Sequence, residues 1–275
     1  MSRRRVWGLV VGALCLFASL QDASAQSAPA PSSPSQGTQT QNGTVPAVPS
    51  PWSFSASPYL WFAGLDGKIG INQNLPSVDV DISFSEIFKS IDWMPPPVMF
   101  VGEVRYDRFA AFTDFIFLGL EDENSHTRGP LSATVDSKLD TIIWTLGGSY
   151  RFIDNKYGFA ALLAGARLWN VDATGTLVGP FAVRQRSGGK TWVDPIVGLN
   201  GRINLGGGFA LQAEGDVGSG AARVDWQLMG TLQYQLADWV TLAAGYRYLA
   251  VDYESGNFRF DAALHGPIIG ATFRF

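Results

Sequence analysis

The sequence predicts an all-β fold, a closed antiparallel up-and-down β-barrel of about ten strands built to span a membrane. Three observations carry this. Long segments alternate strictly between apolar and small or polar residues, tight turns alternate with longer polar stretches, and the composition is aromatic, glycine-rich and poor in charge. The 275 residues include 31 Gly, 18 Phe, 9 Trp and 8 Tyr, with 46% hydrophobic and 16% charged residues. That is too apolar for a disordered chain. It leans to Gly and aromatic residues where a helical chain leans to Ala, Leu, Glu and Lys. Beyond the N-terminus, Gly, Asp or Arg interrupts every run before it reaches the roughly 18 to 20 apolar residues of a spanning helix.

The first element is an address. Arg3, Arg4 and Arg5 form a positive region, Val6 to Leu20 an apolar core, and Ala23, Ser24 and Ala25 a small-x-small cleavage site. Residues 1–25 therefore read as a cleavable secretory signal peptide, removed near Ala25. The only cysteine, Cys15, lies inside it and follows Leu14, where a lipoprotein signal needs a small residue. The remaining chain has no thiol for a disulfide, metal site or nucleophile. Loss of three Arg and one Asp takes the net charge from −4 to −6, and nothing basic enough to bind nucleic acid remains. Residues 26–51 hold no charge and no aromatic residue and are rich in Pro, Ser and Gln, the composition of a disordered periplasmic segment. One folded domain, the barrel, is predicted over 52–275.

Within it, period-2 alternation is clearest at Val224–Leu236. Val224, Trp226, Leu228, Leu232, Tyr234 and Leu236 share one face, and Asp225, Gln227, Thr231, Gln233 and Gln235 share the other. Val240–Tyr248 and Val193–Leu205 repeat the pattern. Strands of this length exceed those of ordinary soluble sheets and suit a membrane barrel. Short turns fall at Asp107–Arg108, Asp154–Lys156, Gly206–Gly208 and Ala237–Asp238. Longer polar stretches, read as outer loops, fall near 63–95, 120–133, 174–190, 218–223 and 252–257. Their alternation gives ten strands with both ends in the periplasm; eight or twelve are the alternatives. Gly67–Ile71 and Val78–Phe84 form either a protruding hairpin or two further spanning strands. Ser83 and Glu86 make a capping box, and Phe84, Ile87, Phe88 and Ile91 form a helical stripe, so a short helix over 84–91 is expected in the first outer loop. Aromatic girdles are expected at Tyr106, Phe109, Tyr150, Phe152, Phe209, Tyr234, Trp239 and Phe275 on the periplasmic side. Trp61, Phe117, Trp226 and Tyr248 are their outer counterparts.

The C-terminal run Gly270-Ala271-Thr272-Phe273-Arg274-Phe275 resembles the terminal signal by which outer-membrane barrels are recognised, a Gly, a spaced hydrophobe and a final aromatic. Gly270, Phe273 and Phe275 are its key positions. Ile269 stands where that signal prefers a polar residue. With the signal peptide and the strands, the folded part resembles small Gram-negative outer-membrane barrels of the opacity and OmpA-like kind. The resemblance implies outer-membrane lipid and the barrel-insertion machinery as partners. It leaves the role open, since those families include adhesins, small pores and proteins of unknown role.

By strand parity, Glu103, Arg105, Asp114, Arg151, Arg167, Asp194, Arg202, Glu214, Asp216, Asp225, Arg247 and Arg274 point inward. A narrow barrel filled by side chains would pair such charges, since unpaired buried charge is costly; a hydrated lumen would use them to select ions. The sequence therefore predicts a passive envelope protein or a narrow porin-like pore for small polar solutes, with no cofactor, no metal and no catalytic residue. A surface adhesin acting through the outer loops is the alternative. A hydrolase is disfavoured, because Asn124 and Ala263 stand two residues before His126 and His265, where an omptin-like pair would need Asp. Asp79 and Asp81 read as alternate residues of a loop strand, and Glu121-Asp122-Glu123 as a solvated tip. Oligomeric state is not legible.

Overall fold

The structure is a computed structural model, and residues 50–70, 78–82, 97–126, 133–178, 183–256 and 258–275 are described. They form twelve strands: β1 (Trp52–Trp61), β2 (Gly64–Gly70), β3 (Val78–Ile82), β4 (Val98–Tyr106), β5 (Phe109–His126), β6 (Ala133–Asn155), β7 (Gly158–Val178), β8 (Val183–Gly206), β9 (Phe209–Gly218), β10 (Val224–Ala237), β11 (Val240–Ser255) and β12 (Phe258–Arg274). Ten of them, β1 and β4 to β12, pair in sequence. The ring closes where Ser55 to Trp61 of β1 pair antiparallel with Arg274 to Ile268 of β12. Within the ring of described strands, closure leaves no sheet edge, which is the condition for placing strands in lipid.

The remaining two strands are a protruding hairpin. After Phe62 and Ala63, β2 carries on the line of β1 and pairs with Arg259–His265 of β12, while β3 folds back on β2. Gly266 sits at this junction. A Cβ there would lie 2.0 Å from the carbonyl oxygen of Phe62, so only glycine lets β12 pass from one partner to the next. The signal segment, most of the spacer and the helix expected over 84–91 lie outside the described residues.

The four tight turns connect β4–β5, β6–β7, β8–β9 and β10–β11. Asp107 adopts φ 51°, and Gly206, Gly207 and Gly208 adopt 90°, 60° and 85°, the left-handed backbone that two- and three-residue hairpin turns demand. At the other end, the described residues of the stretches near 120–133 and 174–190 are strand, paired as far as His126↔Ala133 and Val178↔Val183. By contrast, β4–β5 pairing stops at Val98↔Phe117 and β8–β9 at Ile196↔Gly218. Strands β5 to β8 therefore project past the ring as a four-stranded blade. Their polarity hid them, because backbone pairing needs no apolar face.

The side-chain pattern inverts along the strands. Near the tight turns the outer wall is apolar: Leu162, Val197, Leu199, Ile203, Leu211, Leu228, Leu232, Leu242 and Ile269 are exposed there. Further along β12, Phe258, Phe260, Ala262 and Leu264 turn inside and are buried, while Arg259 and Asp261 form an ion pair of 3.1 Å on the outside. Along β11, Leu249, Val251 and Tyr253 are buried and Glu254 is exposed. Thus the turn half has the outward apolar face of a membrane barrel, and the other half has the apolar interior of a water-soluble one. The periplasmic-side aromatic residues named from the sequence are all exposed on the wall. Trp61 is a correction: it is 6% exposed and lies inside, because β1 inverts with the rest of the ring.

Candidate functional site

The barrel interior is built in three tiers. Farthest from the tight turns lies one contiguous apolar cluster drawn from β1, β2, β4 to β8, β11 and β12, with Met229 of β10 packed against it. Its centre is aromatic. Trp192 stacks on Tyr253 with centroids 4.0 Å apart and planes at 11°, and on Trp169 at 5.8 Å, while Phe260 packs against both tryptophans. Trp169, Val171 and Leu249 are 0% exposed. Ring contributions from nearly every strand leave this part of the lumen filled, as in narrow barrels generally.

The second tier is a ring of charge centred on two buried arginines. Arg167 on β7 donates to Asp225 at 2.5 Å, to both Asp216 oxygens at 2.9 Å and to the Thr145 hydroxyl at 3.1 Å. The Trp169 indole donates to the other Asp225 oxygen at 2.7 Å, tying the apolar tier to this one. Arg247 on β11 donates to Asp114 at 2.8 Å, to Tyr59 at 3.0 Å and to Gln227 at 2.5 and 2.9 Å, with its guanidinium 4.8 Å from the Trp61 ring. Tyr59 donates to Asp114 at 2.6 Å. Gln227 bridges the halves by donating to Glu214 and Asp216, each at 3.2 Å, and Asn200 donates to Glu214 at 2.5 Å. This network runs around the ring through side chains on β1 and β5 to β11. Every guanidinium nitrogen of Arg167 and Arg247 is engaged, the condition for tolerating buried charge.

The third tier, toward the tight turns, is an open chamber. A cavity of about 260 Å³ reaches from the charged ring into it, and its lining on this side includes Ser55, Ser57, Ser149, Gln212 and Thr272 together with Arg105, Arg151, Arg202 and Arg274. Glu103 accepts from Arg105 at 2.9 and 3.1 Å. Arg151 donates to Asp154 at 3.1 Å and its guanidinium lies 4.0 Å from the Phe159 ring. Arg274 donates to Thr241 at 2.8 Å.

Of the twelve charges named from the sequence, ten line the cavity, and Asp194 and Asp225 are fully buried beside it. The partners differ from any simple matching of nearby acids and bases. Arg202 and Arg274 meet no acid among the described residues, and Glu214 and Asp216 are held by Asn200, Gln227 and Arg167. Asp194 accepts the backbone N–H of Ala222 at 2.7 Å and so anchors the short β9–β10 connection. Tyr59, Thr145, Trp169 and Gln227 complete the network; they share the inward parity but carry no net charge, so the sequence alone does not mark them. Of the terminal run, Gly270 lets β12 approach Tyr59, Phe273 stacks on Trp239 at 6.1 Å, and Phe275 is exposed.

Sequence spacing also missed a pair on the outer wall. His265 and Asp66, 199 positions apart, are hydrogen-bonded, and Tyr246 lies 2.8 Å from the other ring nitrogen. Register brings them together, since His265 pairs with Gly64 across β12–β2. The group lies on the outer wall, outside the lumenal cavity. Among the described residues no three His, Cys, Asp or Glu side chains are grouped to hold a metal ion.

No family model matches this chain, and no curated protein matches it. Solved structures similar to it include the outer membrane protease OmpT from Escherichia coli, at TM-score 0.48 and 10% identity, covering 82% of this chain and 97% of that one. Ail, the attachment invasion locus protein of Yersinia pestis, is similar at TM-score 0.32 and 14% identity, covering 82% and 98%–99% of the respective chains across two structures, the second at TM-score 0.35 and 15% identity. Neisserial surface protein A is similar at TM-score 0.29 and 14% identity, covering 82% and 98%. None of these likenesses says what this chain does.

Proposed function

We propose that this chain is an integral outer-membrane barrel of the Gram-negative envelope, of the opacity and OmpA-like kind, that passes no solute. The apolar wall between the aromatic girdles supports membrane insertion, and the signal segment and terminal run support the route through the periplasm and the insertion machinery. The observation that carries the closed state is the contiguous apolar cluster across the lumen, with Trp169, Val171 and Leu249 fully buried. Opening a path would expose these side chains, at about 1.5–3 kcal/mol each. The role involves no cofactor, no nucleic acid and no catalysis; the His265–Asp66 pair lies outside the lumenal cavity. Cell fractionation tests the location: the chain should follow the outer membrane and migrate faster on gels before heating than after. Proteoliposome flux tests the closed state. Vesicles carrying the barrel should retain small sugars and amino acids as protein-free vesicles do, and rapid release would contradict the proposal.

The projecting blade of β5 to β8 favours a second reading, an interaction role on the cell surface. Among the described residues the outer edges of β5 and β8 pair with no further strand there, which suits recognition by strand addition. Shortening the β5–β6 and β7–β8 hairpins should abolish binding to host or neighbouring surfaces while leaving assembly intact.

A further inference from the structure

We propose that the chamber on the turn side of the plug is a binding site for a small oxyanion, the phosphate or carboxylate group of a soluble solute, with Arg202, Arg151 and Arg274 as its ligands. Six arginines and four acids line the cavity of about 260 Å³; Arg167 and Arg247 are held in the charged ring, and the other four, from β4, β6, β8 and β12, gather on its turn side. Of the acids beside these arginines, Glu103 is committed to Arg105, and Asp154 takes one Nη of Arg151 from the exposed turn end. The next acid inward, Glu214, is held by Asn200 and Gln227. Arg202 is the informative residue. Among the described residues its guanidinium makes no hydrogen bond or ion pair, its Nε is buried without a partner, and the charges that act on it are the like charges of Arg274 and Arg151. The Nη1 of Arg105, a residue 8% exposed, is likewise buried and unpartnered.

In the ring above, by contrast, both buried arginines are matched: Arg167 by Asp216 and Asp225, and Arg247 by Asp114. Gathering like charges in a confined space costs free energy unless an anion relieves it, and the planar guanidinium fork suits the paired oxygens of a phosphate or carboxylate. The chamber is wet enough to admit one: the side chains of Arg151 and Glu103 retain 20% and 31% of their exposure. The tier beyond is acidic, with Asp114, Glu214, Asp216 and Asp225 around two arginines, so an entering anion stops at the arginine tier. That the mouth faces the periplasm rests on the reading above; the pocket itself does not, and binding in detergent tests it whether or not the barrel conducts.

The test is calorimetric titration of the full mature barrel in detergent with inorganic phosphate and with succinate. At least one should bind saturably at one site, weaken about tenfold or more in Arg202→Gln and in Arg274→Gln, and bind Arg223→Gln, an exposed outer-face control, as it binds the parent. Heat-modifiable migration confirms that each variant is folded, and if one fails to fold the other carries the comparison. Absence of saturable binding by both anions would overturn the proposal, as would binding that survives both lumenal substitutions. Adding phosphatidylglycerol to the micelles separates the sources. A free solute site in the lumen keeps its affinity, whereas competition by the lipid would place the site on the outer wall and overturn it.

Discussion

Arg167 and Arg202 carry the same charge inside the same barrel and should respond to removal in opposite ways. Arg167 is 1% exposed and holds Asp216 and Asp225. Arg167→Met strands both carboxylates and should cost about 3–5 kcal/mol in urea unfolding from detergent. Asp225→Ala should cost a similar amount, since it also frees the Trp169 indole. Arg202→Gln removes a charge that meets only like charges, so stability should hold or rise. Equal losses at the two arginines would show that the lumen does not separate paired from unpaired charge. Parity along the strands is enough to list which charged residues turn inward, because neighbouring side chains must alternate. It says nothing of partners. Asp114 reaches Arg247 across the ring, 133 positions away in sequence, and that meeting depends on stagger and tilt, which no single strand encodes.

Inversion of the side-chain pattern sets the behaviour of whole strands. A substitution should be costly or harmless according to which half of the strand it enters. Leu228→Arg, in the apolar wall on β10, should cost about 2–4 kcal/mol in lipid. Asp172→Arg, on the exposed face of β7 beyond the inversion, should stay within about 0.5 kcal/mol. Denaturant titration in lipid vesicles measures both, and equal costs would remove the boundary drawn between the halves. Inside, Trp169→Ala should cost about 3–5 kcal/mol and Trp169→Phe markedly less, the remainder reflecting the indole bond to Asp225. The turns were legible because Asp107 and Gly206–Gly208 are residues that tolerate positive φ. The reach of β5 to β8 was not, since stretches such as Glu121–Asn124 are polar on both faces and look like loop until backbone pairing is seen. The inversion on β12 is written in the sequence as Phe258, Phe260 and Leu264 against Arg259 and Asp261. Read as simple alternation, it gives a strand without revealing that the inside has become the apolar side.

For the molecule as a whole, the count of ten strands follows from turn spacing, and the closing of the ring follows from β1 meeting β12. Whether the lumen is open does not follow from either, because it depends on what fills the space between strands that are distant in sequence. Trp192, Tyr253 and Phe260 lie on three strands, and only their assembly closes the passage. In the proposed closed state this apolar tier seals the barrel, with the charged ring packed below it. Single-channel recording in planar bilayers tests it most directly, with the parent barrel beside a folded Trp169→Ala, Phe260→Ala variant. The parent barrel should be silent and the variant should show conductance steps; stable conductance by the parent barrel would contradict the seal.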